Sequence, residues 1–334
     1  MKIAVIGGSG FIGTHLVGEL LAAGHDVIIG DTTPNPHYPD LCREADIRDV
    51  AALERVCAGC DVIYNLAAEH RDDVTPLSLY HDVNVVGSEN ICEAAENLGI
   101  TRIIFTSSVA IYGFSDGKPN EQSDHVPFNE YGRTKSAAED IYTSWQNDDK
   151  RHRSLTIIRP TAVFGPGNRG NVYNLIKQIA SGRFVMIGNG KNQKSLACVE
   201  NVSGFLAYAL QFESGTHIYN YVDKPDFTMK ELVSLIRKTL GKGSGTGPAL
   251  PYGAGLVAGG SFDILATLTR RKFPISKIRV EKFCANTVYS SQRMQNTDFR
   301  PKVTLRDALV RMIEVEFLGK NGNTPSKEEH QEAA

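Results

Sequence analysis

Ile3-Ala-Val-Ile6-Gly7-Gly-Ser-Gly10-Phe11-Ile12-Gly13 is the stretch on which the fold turns. Four consecutive apolar residues have the character of a strand covered on both faces. The glycines make a tight turn, and Thr14 to Ala23 then sets Leu16, Leu20 and Leu21 at helical spacing until Gly24 stops the helix. Val27-Ile-Ile29 is a second strand, ending at Asp31. A buried strand, a glycine turn, a helix and a second strand make the opening unit of a parallel sheet.

The same alternation continues outward. Val62 to Asn65 reads as a strand, Val83 to Leu98 as a helix and Arg102 to Phe105 as a strand. Tyr131 to Trp145 reads as a helix and Ser154 to Ile158 as another strand. The expected fold class is therefore α/β, a doubly wound parallel sheet of Rossmann type. After Pro160 the rhythm loosens. Asn171 to Ser181, Asn201 to Gln211, Thr228 to Leu240 and Leu305 to Leu318 read as helices, and Gly241 to Gly260 has no simple period. We expect a nucleotide-binding core over 1–165. A smaller, mixed α/β substrate-binding region over 166–318 interleaves with it, and a disordered polar tail covers 319–334.

Composition closes off other classes. The chain has 334 residues, 41% hydrophobic and 22% charged, with a formal net charge of −2, so no global basic field points to nucleic acid. No apolar run reaches the roughly 18 residues of a spanning helix, and the start, with one Lys before a β-like run, is not expected to be a signal peptide. Six cysteines scattered over the chain read as reduced cytosolic thiols. Cys57-Ala-Gly-Cys60 has no second ligand pair nearby and reads as a helix end running into a strand, so no metal is expected.

The glycine turn gains its specificity from context, since a strand precedes it, a helix follows and an acid ends the next strand. Gly7 permits the tight turn, Gly10 lets backbone approach a pyrophosphate and Gly13 lets the helix pack on the strand. The helix N-terminus offers free N–H groups to the phosphates. Asp31 would accept hydrogen bonds from an adenosine ribose and repel a 2′-phosphate, which favours NAD over NADP. Tyr131-Gly-Arg-Thr-Lys135 puts a phenol and an ammonium on one helical face. That ammonium and a positive nicotinamide ring would draw the phenol down from its ordinary pKa near 10 and make it a working base. Thr106-Ser107-Ser108 follows a strand directly, which places hydroxyls at the carboxyl edge of the sheet, where ligands of such folds bind.

The glycine turn, Asn65-Leu-Ala-Ala68, Ser107-Ser-Val-Ala-Ile-Tyr112-Gly and Tyr131-x-x-x-Lys135 resemble the extended short-chain dehydrogenase/reductases, which include the NAD-dependent sugar epimerases and dehydratases. The resemblance covers nearly the whole chain. It implies Tyr131 as base, Lys135 as its partner and ribose ligand, and Ser108 as hydrogen-bonder to the sugar hydroxyl, with Ser107 and Thr106 as weaker candidates. On the cofactor side it implies Phe11, Ile12, Asp46, Ile47, Leu66, Ala67, Ala68, Asn84 and Pro160 beside the three glycines and Asp31. It also implies a homodimer through the helices from Val83 and Tyr131. Dehydratases of this family carry an acidic pair after the catalytic hydroxyl, whereas Val109 and Ala110 stand here and can transfer no proton. Dehydration is therefore disfavoured, and the resemblance implies a redox-neutral 4-epimerase through a 4-keto sugar.

The substrate side departs from the nucleotide-sugar pattern. Lys194-Ser195 stands where nucleotide-sugar epimerases carry Arg-Asp, Ala162 replaces an Asn, and the late Arg-x-Gly-Asp is missing near Phe283-Cys-Ala-Asn286. Leu250 to Leu268 is apolar and Gly-rich and runs into Arg270-Arg-Lys272, with Lys277, Arg279 and Lys282 behind. This segment over 250–282 suits either an anionic membrane surface or a core helix with a solvated basic end. Ala68-Glu-His-Arg-Asp-Asp-Val74, Asp82-Val-Asn-Val85, Arg153 to Pro160, Arg169-Gly-Asn-Val-Tyr-Asn174 and Tyr219 to Pro225 resemble, within that family, the bacterial epimerases of lipid-linked sugars. The likeness implies interconversion of N-acetylglucosamine and N-acetylgalactosamine on undecaprenyl diphosphate for surface polysaccharide (O-antigen) assembly. It places the protein in the cytoplasm, peripheral at the inner face of the membrane. It leaves the diphosphate to basic groups such as Arg71, Arg169 and Lys194, with Asn171 a further substrate residue, while His70 either orients the site or caps a loop. A UDP-glucose or UDP-N-acetylglucosamine 4-epimerase is the alternative, and a non-catalytic NAD-binding sensor the second.

Overall fold

The computed structural model describes residues 1–71, 74–114, 117–269 and 277–319. The expected tail lies outside these residues from 320 onward, as does the basic Arg270-Arg-Lys272. The first half runs β1 (Lys2–Ile6), α1 (Phe11–Ala22), β2 (Asp26–Asp31), β3 (Cys42–Glu44), α2 (Val50–Cys57), β4 (Val62–Asn65), α3 (Ser78–His81), α4 (Gly87–Leu98), β5 (Arg102–Thr106) and α5 (Glu130–Asp148). A π-helical turn, Asp82–Val86, joins α3 to α4, and a 3₁₀ turn, Val109–Tyr112, follows β5. Then come β6 (Ser154–Pro160), β7 (Ala162–Phe164), α6 (Asn171–Ala180), β8 (Met186–Ile187), β9 (Gln193–Cys198), α7 (Val199–Tyr208), β10 (Gly215–Tyr221) and β11 (Asp223–Thr228). The chain closes with α8 (Met229–Thr239), β12 (Ala249–Leu250), α9 (Tyr252–Thr269), α10 (Lys277–Cys284), α11 (Gln292–Gln295) and α12 (Leu305–Phe317).

Seven parallel strands form the central sheet in the order β10-β6-β5-β4-β1-β2-β3. Its order reverses between β1 and β4, and the crevice at such a switch point is where open α/β sheets bind ligands. Side-chain alternation builds both covers. Ala4, Ile6, Ile63, Ile103, Phe105 and Ile157 meet Leu53, Ile91, Tyr142 and Trp145 of α2, α4 and α5 on one face. Ile3, Val5, Ile29, Tyr64, Ile104 and Ile158 meet Leu16 and Leu20 of α1 and Phe205 and Leu206 of α7 on the other. The sheet draws β10 and α7 from beyond residue 165, so the two regions interleave in the chain.

The rest of the chain gathers about a smaller core. Phe164, Ile176, Met186, Val233, Ile236, Leu309 and Met312 pack together there, beside a three-stranded sheet β11-β9-β7 and the pair β12-β8. Thr228 and Glu231 form a capping box that starts α8 where the sequence expects it. Gly241 to Gly260, which shows no period, is in part α9, and α9 pairs with α10.

Candidate active site

Gly7 has φ of +79°, and a Cβ there would lie 2.4 Å from the Ala67 nitrogen. A Cβ on Gly13 would lie 2.4 Å from the Gly7 carbonyl oxygen. Both positions demand glycine, one for its left-handed backbone and both for close approach. Gly10 differs, since its Cβ would meet only the Gly7 carbonyl oxygen at 3.3 Å. It is the N-cap of α1 and brings no side-chain cap, so the N–H groups of Phe11, Ile12 and Gly13 end the helix open, as an anion cradle requires. Asp31 stands beside this turn. Its carboxylate accepts from the Ser9 N–H at 3.0 Å and from the Thr33 N–H and hydroxyl at 3.0 and 3.1 Å.

Asp46 is paired with Arg48 at 2.5 Å, and that hydrogen bond holds its carboxyl below the usual range. Ile47 is buried and packs against Gly87, where a Cβ would come within 2.9 Å of it. Leu66, Ala67 and Ala68 are half-buried at the end of β4, with the Ala67 N–H donating to Asn65 Oδ1 at 3.0 Å. Asn84 is buried in the π-helical turn. It accepts from the Glu69 N–H at 2.8 Å and donates to the Glu69 carbonyl and Thr134 Oγ1 at 3.0 and 2.9 Å. Its side chain is thus spent tying the loop after β4 to α5. Pro160 ends β6, buried beside Tyr221 of β10.

Ser108 caps the 3₁₀ turn, accepting from the Ala110 N–H at 3.1 Å, and shares a hydrogen bond with the Tyr131 side chain. Gly132 makes that meeting possible, because a Cβ there would lie 2.5 Å from the Ala110 carbonyl oxygen. Asn129 starts α5 at the right residue by accepting from the Gly132 N–H at 2.9 Å. Lys135, one turn on, is 2% exposed. Its Nζ donates to the Thr106 carbonyl at 2.8 Å and lies 4.5 Å from the Phe105 ring centroid. Burial pushes Lys135 down to about 7, against the pull of the Glu139 carboxylate. Burial likewise pushes Tyr131 up, against its bond to Ser108. The expected lowering of the phenol is therefore no property of the protein alone, where desolvation favours the neutral form of both groups.

The site fits a dinucleotide by two further atoms. The hydroxyls of Thr106 and Thr161 are buried, without a hydrogen-bond partner among the described residues, at the carboxyl ends of β5 and β6. Orphaned hydroxyls of this kind are rare in native interiors and mark a place for a polar ligand.

The residues expected on the substrate side do not converge. Ser107 is buried and donates to Glu139 Oε1 at 2.5 Å. Arg71 lies at the surface in an ion pair with Glu69 at 2.7 Å. Arg169 pairs with Glu316 at 2.6 Å and lies over the Tyr173 ring, while Asn171 opens α6 in solvent. The Lys194 Nζ donates to the Lys282 and Ala285 carbonyls at 3.0 and 2.7 Å; burial pushes it down to about 8. It holds the end of α10. His70 is exposed and reaches the Ala68 carbonyl at 3.4 Å.

Sequence reading missed the group beneath the site. Arg159 and Glu139 are each 3% exposed and pair at 2.5 Å. Arg159 also donates to Tyr112 Oη at 2.6 Å and meets His125 Nε2 at 3.1 Å. The available signal was the spacing of Glu139 one turn after Lys135.

Fold and site together define an enzyme of the Tyr-x-x-x-Lys class on a dinucleotide-binding sheet. The model of the NAD dependent epimerase/dehydratase family matches residues 3–221, and the chain belongs to that family and uses NAD. It is 45% identical over 318 residues, 95% of this chain and 96% of the relative, to the N-acetyl-alpha-D-glucosaminyl-diphospho-ditrans,octacis-undecaprenol 4-epimerase of Escherichia coli O157:H7. It is 29% identical to the UDP-glucose 4-epimerase of Vibrio cholerae over 72% of this chain and 76% of that one. The UDP-glucose 4-epimerase of Thermus thermophilus, solved with NAD, shares the fold with a TM-score of 0.72. That match is 22% identical and covers 94% of this chain and 99% of the other.

Proposed function

We propose that the protein is an NAD-dependent 4-epimerase that interconverts N-acetylglucosamine and N-acetylgalactosamine carried on undecaprenyl diphosphate. The observation that carries this reading is the end-to-end likeness, 45% identical over 95% of the chain, to a relative named for a sugar on that lipid diphosphate. Bound NAD supplies the acceptor and donor of the hydride at carbon 4 of the sugar. The phenol oxygen of Tyr131 takes the proton of the 4-hydroxyl and later returns it. Ser108, bonded to Tyr131, holds that hydroxyl in line. Lys135 stabilises the phenolate as an ammonium and reaches the ribose in exchange for the Thr106 carbonyl. Phe11, Ile12 and Gly13 offer N–H groups to the pyrophosphate, Asp31 takes the ribose hydroxyls and Asp46 the adenine. Val109 and Ala110 leave no acid for dehydration.

Membrane association and a homodimer belong to the same proposal. Among the described residues no helix is long and apolar enough to cross a membrane. Tyr252 and Val257 of α9 and Ile278 of α10 are 44%, 71% and 50% exposed, an apolar surface suited to rest against lipid at the inner face of the cytoplasmic membrane. The helices α4 and α5 pack side by side and offer their outer faces to a second copy. The test is a paired assay with NAD. One arm offers undecaprenyl-diphosphate-N-acetylglucosamine in detergent, the other UDP-N-acetylglucosamine. Formation of the galacto epimer in the lipid arm alone is expected. Turnover of the UDP sugar alone would move the function to the alternative that the Vibrio cholerae relative illustrates.

A further inference from the structure

Two aromatic rings stand in solvent beside the segments that carry Ser108 and Tyr131. Phe114 and Phe128 are 47% and 45% exposed, and they stack with centroids 4.5 Å apart and planes at 29°. Their loop is clamped to the 3₁₀ turn. Gly113 has φ of +62°, a Cβ there would fall 2.0 Å from the Val126 carbonyl oxygen, and the Val126 N–H donates to the Ile111 carbonyl at 2.9 Å. Val126, 63% exposed, extends the apolar surface. From the other region, α10 lays the Lys282 Nζ 4.7 Å from the centroid of Phe128. The backbone of Lys282 is fixed in turn, its carbonyl held by Lys194 at 3.0 Å. An apolar platform with one ammonium at its edge is complementary to a ligand that is anionic at one point and hydrocarbon just beyond it.

We propose that Phe114, Phe128 and Lys282 form the subsite for the junction of the lipid-linked substrate. The rings take the first isoprene units and the ammonium takes the adjoining diphosphate. The proposal rests on the lipid-linked reading of the substrate and adds the residues that would read the tail. Such a platform explains how a tail can be recognised at the mouth of the site without a membrane.

The experiment uses the full chain with NAD and two water-soluble substrates without detergent, N-acetylglucosamine diphosphates ending in a two-isoprene tail or in a methyl group. The double variant Phe114→Ala/Phe128→Ala should raise KM for the isoprenyl substrate roughly tenfold or more with kcat within about twofold. KM for the methyl substrate should not move. Lys282→Gln should raise KM for both. NAD affinity, measured alongside, checks folding, and Phe114→Leu/Phe128→Leu gives a milder variant that keeps apolar bulk and loses the stack. In the double phenylalanine variant, an equal KM change for both substrates, or none, overturns the subsite while wild-type turnover keeps the lipid-linked reading. If the double variant keeps both KM values and instead loses binding to anionic phospholipid vesicles, measured by co-sedimentation, the subsite is also overturned and the rings are a membrane contact. Wild-type protein that turns over UDP-N-acetylglucosamine and neither diphosphate overturns the substrate reading and the subsite with it.

Discussion

Removing one member of the buried Glu139–Arg159 pair should cost more than any other single polar change beneath the site. In Glu139→Gln the guanidinium loses the charge that faces it at 2.5 Å, and both groups are 3% exposed, so solvent cannot make up the difference. It keeps Tyr112 Oη and the Glu121 carbonyl as acceptors, neither of them charged. Breaking a buried pair by removing one partner costs about 3–5 kcal/mol, a large share of the roughly 5–15 kcal/mol that holds a domain folded. Arg159→Met orphans Glu139 instead and should cost a similar amount. The double variant removes both charges, so its cost should fall below the sum by ~2–4 kcal/mol. Urea unfolding of the four proteins, followed by fluorescence, measures that coupling. Costs that add to within about 0.5 kcal/mol would refute the argument. A second readout separates stability from chemistry. Glu139 is the charge that opposes the downward push on Lys135, so in Glu139→Gln the ammonium should titrate at lower pH and carry the pH profile of NAD binding with it.

Three further outcomes follow from the geometry. Tyr131→Phe should bind NAD as the wild type does and lose turnover by roughly 10²–10⁴-fold, measured by equilibrium titration and single-turnover epimerisation. Gly132→Ala forces a methyl against the Ala110 carbonyl, 2.5 Å away; it should separate Ser108 from Tyr131, lower kcat and cost about 1–3 kcal/mol in urea unfolding. Burial lowers Lys135 from 10.5 to about 7, so below about 7 both folded and unfolded chains carry the charge and the burial penalty is present in full. Stability of the cofactor-free protein should therefore rise as pH climbs from about 7 toward 10.5, and thermal melts of Lys135→Met should lose that part of the rise.

Local patterns carried the sheet and contact at a distance did not. Ile3 to Ile6, Val62 to Asn65 and Arg102 to Phe105 read as strands because a strand buried on both faces has apolar residues at nearly every position, and those residues are buried in the structure. Gly215–Tyr221 escaped because its Thr, His and Asn interrupt the run; its place at the sheet edge beside β6 leaves part of it half-buried. Tyr252–Thr269 was legible only as one of two readings, a membrane-facing segment or a core helix, because its glycines and scattered Ser261, Asp263 and Thr267 make no polar stripe for a helical period to show. In the site, Tyr131 and Lys135 were visible as a pair one turn apart. The bond from Tyr131 to Ser108 was legible only through resemblance, and the approach of Gly132 to Ala110 that permits it was not visible at all. Glu139 and Arg159 lie far apart in sequence on an α-helix and a β-strand, so only the packing of α5 against β6 could reveal them as partners.

The cations show the same limit, with a consequence for recognition. Arg71, Arg169 and Lys194 are basic in the sequence and were assigned to the diphosphate, yet folding gives each a partner. The Arg71 guanidinium holds the Glu69 carboxyl down to about 2, so moving it onto a phosphate would leave Glu69 without the group that stabilises its charge. Arg169 would have to give up Glu316, and Lys194 would have to release the two carbonyls at the end of α10. A cation gains little affinity for a phosphate when it must surrender an equal bond to take it, because binding counts only the surplus over what the free protein already had. Lys282 has no carboxylate within ion-pair distance among the described residues and faces an aromatic ring. An anion arriving there displaces no counter-charge, so the diphosphate is best sought beside α10, where Lys194 serves it indirectly by fixing the backbone from which Lys282 projects.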